Sequence, residues 1–214
     1  MANCFSILGS IPVSSATIAS QMPEIKGVGN KISRLVADGN LIRLRRDLYV
    51  VHPAYSGKPI SLGLLANSLH TPSACSMRSA LRFYGLIPMS VTGVDSITIS
   101  RSCEFHTPLG LFTYQTVPRS VFSLGLTQAS FEGTSFVVAT PERALCDLVA
   151  CSPGVNLRSV ADADNYLRNV VKFDMDAFVE LNPTVLEAYM RLGGKKGASI
   201  FALIKLLQRE RALS

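Results

Sequence analysis

Two short stretches near the N-terminus carry side chains that can bind a polyanion. The first stretch has amide, hydroxyl and basic groups, at Asn30, Lys31, Ser33 and Arg34. The second has three arginines, at Arg43, Arg45 and Arg46. Such side chains donate the hydrogen bonds that phosphate oxygens and base edges accept. The chemistry that they indicate is nucleic-acid recognition.

A helix and a hairpin are predicted to position these side chains. The apolar residues of the first stretch recur with helical spacing, at Val28, Ile32, Leu35 and Val36. This spacing predicts a helix over residues 28–38 with its polar side chains on the opposite face. Gly39 and Asn40 can end that helix. The two β-prone runs in residues 41–51, around an Arg-Arg-Asp tip, predict a hairpin.

A shorter helix is predicted just before these elements. Ser14 or Ser15 can cap its start, and Pro23 ends it. Helix, turn, helix and hairpin is the order of a winged helix-turn-helix, in which the second helix enters the major groove and the first crosses the DNA backbone. The hairpin then holds Arg45 and Arg46 against phosphates or in the minor groove. The predicted DNA-binding residues are Ser14, Ser15, Thr17, Lys26, Asn30, Lys31, Ser33, Arg34, Arg43, Arg45 and Arg46.

The charge of the chain is concentrated in the same segment. The 214 residues have a net charge of +6, and residues 1–60 carry seven Lys or Arg against three Asp or Glu. Residues 61–150 carry five of each, and residues 151–214 carry nine against seven. This asymmetry favours a polyanion-binding module at the N-terminus. The alternatives are a basic surface that is only solvated and a winged helix that is structural or binds protein.

Four segments, in order, are similar to one known family. Residues 32–51 resemble the "R-L-x-x-x-G-x-L-x-R-x-x-R-G-x-Y" end of the winged helix in AbiEi-type antitoxins, and residues 79–88 resemble the "S-A-L-x-Y-H-G-L-I-P" helix end of that family. Residues 105–114 resemble its hairpin, and residues 139–148 its "A-T-P-E-K-A-L-x-D-L" helix start. The four segments span roughly residues 30–150.

The resemblance implies the antitoxin of a type IV toxin–antitoxin system, one of the abortive-infection systems of phage defence. Its winged helix is expected to repress its own operon by binding the DNA upstream. The rest of the chain is expected to neutralise a nucleotidyltransferase toxin. Because type IV antitoxins can act on the target or state of the toxin, direct contact is not implied. Asp47 departs from the family pattern, which has glycine at the hairpin tip, and its acid weakens the local attraction to phosphate.

The remainder of the chain predicts an α+β fold. We expect a winged helix-turn-helix at residues 1–56 and a mixed α/β domain at residues 57–214. In this second domain, helices are expected at residues 60–69 and 73–84, and strands between residues 95 and 138 that form a small mixed or antiparallel sheet. Thr140 and Pro141 signal a helix start. The C-terminal third is predicted to be helical.

Candidate partner-binding residues in this second domain are basic. They are Arg78, Arg82, Lys195 and Lys196, chosen for charge and expected exposure; for Arg78 and Arg82 a solvated pair is the preferred interpretation. Glu142 and Asp147 are acids on one predicted helix, but capping accounts for Glu142 without catalysis.

The residue patterns of the chain exclude several classes of protein. No nucleophile and base pair, no metal-ligand spacing and no phosphate-binding loop is found, so we expect no enzyme, no metal and no cofactor. Apolar runs are far too short to span a bilayer. The N-terminus lacks a charged signal region, and the five cysteines are unpaired by pattern, so a cytoplasmic protein is expected. The alternative function is a winged-helix transcriptional regulator whose C-terminal domain senses a ligand or protein, without a toxin partner.

Overall fold

The N-terminal elements follow one another as helix, helix and hairpin. The computed structural model describes residues 8–89 and 93–213. It begins with helices α1, Ser15–Ser20, and α2, Val28–Ala37. The hairpin strands are β1, Leu41–Arg45, and β2, Leu48–Val51, which pair antiparallel. The predicted second helix and hairpin are confirmed to within a residue or two at their ends.

Local caps account for the boundaries of these elements. The Ser14 hydroxyl accepts a hydrogen bond from the backbone N–H of Thr17 and so caps α1. Gly27 precedes α2 in the left-handed conformation, at φ 79°. The α2 helix buries Ile32 and Leu35, which are separated by three residues and therefore share one face.

The two faces of the hairpin pack against different hydrophobic clusters. Leu41 and Val51 join the N-terminal cluster around Ile18, Ile32 and Leu35. On the opposite face, Leu44 and Val50 belong to the larger cluster that fills the rest of the protein. The hairpin therefore connects the N-terminal helices to the remaining chain through buried apolar contacts, each of which favours a fixed position of the hairpin.

The remaining chain is built around one six-stranded mixed sheet. Its strands are β3, Ser73–Cys75; β4, Val94–Thr98; β5, Cys103–Thr107; β6, Gly110–Thr116; β7, Leu126–Phe131; and β8, Thr134–Ala139. Their order is β5, β6, β4, β3, β8, β7. The pairs β4–β6 and β3–β8 are parallel and the other three are antiparallel.

Helices surround the sheet and fill the C-terminal part of the chain. They are α3, Pro53–Ser56; α4, Leu62–Leu69; α5, Met77–Phe83; α6, Arg119–Phe122; α7, Pro141–Cys151; α8, Val160–Asn165; α9, Met175–Val179; α10, Pro183–Arg191; and α11, Gly197–Leu213. The α8 helix continues as one π-helical segment, Tyr166–Val171. As predicted, Thr140 caps α7 and Pro141 is its first residue. The α+β class and the helical C-terminal third are confirmed.

One predicted helix is wrong at its start. The capping preference of Ser73 predicts a helix from that residue onward, but Ser73–Cys75 is a strand and the helix begins at Met77. This short strand lies between β4 and β8, and its three residues are buried. Tertiary pairing to two remote strands therefore overrides the capping preference of serine.

A buried polar network connects α7 to the sheet and to α10. Arg143 and Asp147 have no exposed side-chain surface, and the Arg143 Nε donates to the Asp147 carboxylate at 2.9 Å. The Ser76 hydroxyl also donates to this carboxylate at 2.7 Å, and Tyr189 at 3.4 Å. Asp147 is thus a structural acid within α7, paired by Arg143 one turn earlier.

Within residues 8–89 and 93–213, every helix is too short or too polar to cross a membrane.

Candidate nucleic-acid interface

The exposed face of α2 carries most of the polar residues predicted to contact DNA. Asn30, Ser33 and Arg34 are exposed, whereas Lys31 is half-buried. The Ser33 hydroxyl donates to the carbonyl oxygen of Gly29 at 3.0 Å. Lys26 is exposed in the turn before the helix. Burial of the opposite face fixes the rotation of α2, so these polar side chains point away from the core.

Arg43 extends this surface onto the hairpin. It pairs with Tyr49 on β2, on the hairpin face that carries Leu41 and Val51. Arg43 and Tyr49, together with Ser33 of α2, line a groove of about 240 Å³ between the helix and the hairpin. Ser33 thus connects the polar face of α2 to Arg43, across a groove that is also lined by Ile32 and Val36.

Arg45 lies on the other face of the hairpin. A bulge between Arg43 and Arg45 shifts the strand register, so Arg45 pairs with Leu48, which packs against the larger core. Arg45 also acts electrostatically on His70. The pKa of His70 is lowered mainly by burial and, to a smaller extent, by the charge of Arg45. Arg46 instead lines a pocket with Arg43 and Asp47, so the two arginines have different surroundings, since a bulge changes the direction of the side chains that follow it. Contact of Arg45 and Arg46 with DNA stays a prediction.

Asp47 holds the hairpin tip against the start of α1. Its φ of 60° lies in the left-handed region, which aspartate tolerates better than most residues. Its carboxylate accepts hydrogen bonds from the backbone N–H of Ser15, at 3.0 Å, and from the Ser15 hydroxyl. These two hydrogen bonds are the main reason that the pKa of Asp47 is lowered.

The serines and the threonine at the start of α1 are engaged in local hydrogen bonds. Ser15 donates from both its backbone and its side chain to Asp47. Ser14 accepts from the backbone of Thr17, and the two hydroxyl groups are 3.0 Å apart. A phosphate could receive hydrogen bonds from Thr17, which is exposed, more readily than from Ser15. The predicted phosphate contact by Ser15 therefore requires the contact with Asp47 to open.

Arg78 and Arg82 lie one turn apart on α5 but have different surroundings. Both are half-buried. Arg82 lines a cavity of about 220 Å³, and its Nε is buried without a hydrogen-bond partner among the described residues. At its Nε atom Arg82 therefore departs from the interpretation of a solvated pair. Sequence reasoning missed this cavity, because its walls come from α4, α5, β3, β4 and β8, which no local pattern connects.

Lys195 and Lys196 are neighbours with different roles. Lys195 is exposed, and its ammonium donates to the carbonyl oxygen of Thr116 at 3.2 Å. Lys196 was expected on an exposed loop, but it is half-buried. Its ammonium donates to the carbonyl oxygens of Val149, Ser152 and Val155, at 3.1, 2.7 and 2.8 Å. These acceptors lie at and beyond the C-terminus of α7, where a cation is favoured by the helix dipole.

We expect Lys196→Met to lower the free energy of unfolding by about 2 kcal/mol, because hydrogen bonds to charged groups are worth about 1.5–3 kcal/mol and three carbonyl oxygens lose their partner. The matched variant Lys195→Met should stay within about 0.5 kcal/mol of the wild type, as exposed substitutions usually do. Urea unfolding followed by circular dichroism measures both. Equal losses in the two variants would contradict a capping role for Lys196.

Comparisons with known proteins add no family assignment, because no protein-family model matches the chain and a search of curated proteins finds no match.

Proposed function

We propose that the N-terminal elements form a winged helix-turn-helix that binds DNA. In this proposal α1 crosses the DNA backbone, α2 enters the major groove and the β1–β2 hairpin is the wing. The order of the elements supports it, and so does a third β segment: Val13 exchanges two backbone hydrogen bonds with Tyr49, at 2.8 and 2.9 Å. The segment before α1 is thereby tied to the wing.

The observation that carries the proposal is the joint surface of α2 and Arg43. Asn30 and Arg34 are exposed on the helix, and Ser33 lines the same groove as Arg43. Asparagine and arginine are the residues that pair best with adenine and guanine edges. No residue that lines this groove is acidic. The groove thus offers donors and positive charge, whereas the Asp47 carboxylate lines the neighbouring pocket beside Arg43.

We further propose that the bound DNA is the region upstream of the operon that encodes the protein, and that the protein represses this operon. The remainder of the chain would neutralise a nucleotidyltransferase toxin. Support for both statements comes from the resemblance of the four segments to AbiEi-type antitoxins. The fourth of these segments, residues 139–148, includes the buried ion pair of Arg143 and Asp147. The similarity to the family in this segment therefore includes residues that stabilise the fold.

A second candidate function is a winged-helix regulator that senses a ligand and has no toxin partner. The cavity beside Arg82 favours it, because an apolar cavity with few polar groups is the usual form of a small-molecule site. The two candidates share the DNA-binding module and differ in what the sheet domain does.

Two experiments test the proposal. The first is a mobility-shift titration of the full-length protein on its upstream DNA and on a shuffled sequence, at two salt concentrations. We expect selective binding to the upstream DNA. In a plot of log affinity against log salt concentration, the slope should be about −0.9 for each phosphate that the protein neutralises. Equal binding to both sequences, or no binding, would refute operator recognition.

The second experiment tests the antitoxin function separately. The protein is co-expressed with a nucleotidyltransferase encoded beside it, and growth is measured. Restored growth is expected if the protein is an antitoxin. Persistent growth arrest, with selective DNA binding intact, would leave the ligand-sensing regulator as the better description.

The acid at the hairpin tip gives a further prediction. Asp47→Asn removes a negative charge beside the proposed phosphate contacts while it keeps a side chain that tolerates positive φ and can accept from Ser15. We expect DNA affinity to rise about fivefold at low salt, since one charge pair at 4 Å in water is worth about 1 kcal/mol. The same titration measures it. As a control, Glu180→Gln removes an exposed acid far along the chain and should leave the DNA affinity unchanged. If Glu180→Gln raises the affinity as much as Asp47→Asn does, the net charge of the protein explains the gain and the position of Asp47 does not.

A further inference from the structure

We infer that the cavity between α4, α5 and the sheet binds a small carboxylate with an aliphatic body. The cavity has a volume of about 220 Å³. Its walls are mainly apolar, formed by Leu62, Phe83, Val94, Phe136 and Val138. This site goes beyond the proposed function and does not depend on DNA binding.

The polar side of the cavity is what selects the ligand. Arg82 is in the last turn of α5, and its Nε is buried without an acceptor among residues 8–89 and 93–213. The position near the helix C-terminus favours a positive charge there, but it does not supply the Nε–H with a hydrogen bond. A buried donor without an acceptor is costly and rare in native proteins. A ligand oxygen in the cavity would satisfy it.

A second donor lines the same cavity. The Ser79 hydroxyl oxygen accepts a hydrogen bond from the backbone N–H of Asp95 at 2.8 Å, which leaves its own proton available to a ligand. Ser79 precedes Arg82 by three residues, so both project from one face of α5. None of the described residues that line the cavity is acidic. The charge of Arg82 is therefore not neutralised from within the cavity, and an anion is the complementary ligand.

The walls of the cavity are held in place by close packing. Phe83 and Phe136 make an edge-to-face contact with ring centroids 5.5 Å apart. Gly63 of α4 lies against the same Phe136 ring, and a Cβ atom there would come within 2.4 Å of it. The apolar wall is thus preformed, which reduces the entropy cost of binding.

Binding can be followed with a single fluorescent reporter. The chain has no tryptophan, and Met89, at the cavity rim, is 81% exposed, so Met89→Trp places the sole indole at the site. The full-length reporter protein is titrated with sodium hexanoate, 1-hexanol and hexylammonium chloride. We expect hexanoate to bind with a Kd of about 1 mM or below, as small ligands with a high binding free energy per atom do. It should bind about tenfold more tightly than hexanol or hexylammonium.

Variants then test the role of Arg82. In the reporter background, Arg82→Gln should weaken hexanoate binding at least about tenfold and leave hexanol binding unchanged. Arg78→Gln, one turn earlier on the same helix and outside the cavity lining, should change neither. Equal affinity for hexanoate and hexanol in the intact reporter protein would overturn the inference without any variant at Arg82. Hexanoate binding retained by Arg82→Gln, or no saturation by about 10 mM, would overturn it as well.

Discussion

Replacing Asp147 by alanine is expected to lower the free energy of unfolding by about 3–5 kcal/mol, the usual cost of removing one partner of a buried ion pair. Asp147 accepts hydrogen bonds from Arg143, Ser76 and Tyr189. Without the carboxylate, the guanidinium of Arg143 stays fully buried and loses its only neutralising partner among the described residues. Since domains have a total stability of about 5–15 kcal/mol, this loss is a large fraction of the whole.

Urea unfolding of the purified variants measures this effect. The matched control is Asp164→Ala, because Asp164 pairs with Arg168 at the same spacing of four residues. In that pair the arginine and aspartate side chains are 44% and 29% exposed, and Asp164 also pairs with Arg209 at 3.3 Å. Because solvent reaches these charges, the loss should stay well below that of Asp147→Ala. Similar losses in the two variants would mean that burial does not set the strength of the Arg143–Asp147 pair.

A double variant distinguishes two causes of the loss in Asp147→Ala, the unpaired buried charge of Arg143 and the lost packing of the Asp147 side chain. Arg143→Met with Asp147→Leu replaces both charges by apolar side chains, and such replacements of buried ion pairs are often neutral or stabilising. Arg143 also donates to the carbonyl oxygens of Val121 and Leu124, and the double variant removes both of these hydrogen bonds. We therefore expect it to be more stable than Asp147→Ala but less stable than the wild type. A double variant less stable than Asp147→Ala would show that these carbonyl contacts outweigh the charge pair.

Local sequence signals predicted the elements that depend on local physics. The helical spacing of Ile32 and Leu35 places the buried face of α2, and that spacing fixes which polar residues are exposed. Thr140 and Pro141 start α7 through a side-chain cap and a preset φ. Such signals act within a few residues, and so they can be recognised without knowledge of the rest of the fold.

Features that depend on remote partners could not be predicted in the same way. The strand Ser73–Cys75 is defined by pairing with β4 and β8, and three residues are too few to show a period. The face of the hairpin on which the Arg45 side chain lies is set by a bulge. The bulge shifts by one residue the alternation of side chains between the two faces of the strand. The carbonyl oxygens that hold Lys196 and the cavity walls beside Arg82 come from distant segments. Each of these required the tertiary structure.

The proposed recognition surface is expected to fail when Asn30 and Arg34 are both replaced by alanine. Each base contact of this kind is worth about 1–3 kcal/mol, so affinity for the upstream DNA should fall about 100-fold, while shuffled DNA is affected much less. Both residues are exposed on α2, and the buried Ile32 and Leu35 are unchanged, so the helix should remain folded. The salt dependence should also become shallower by about 0.9 if Arg34 contacts a phosphate.

The control for this loss uses the same two residue types elsewhere. Asn156 and Arg158 are exposed in the segment before α8, and Asn156→Ala with Arg158→Ala makes the same change in charge and size. The control should retain wild-type affinity in the mobility-shift titration. If both double variants bind the upstream DNA with wild-type affinity, α2 is not the recognition helix. If both lose affinity to the same extent, net charge governs binding and the joint surface of α2 and Arg43 has no special part in it. Loss confined to the α2 variant is the result that a sequence-reading helix requires, because base contacts act only at the surface that faces the groove.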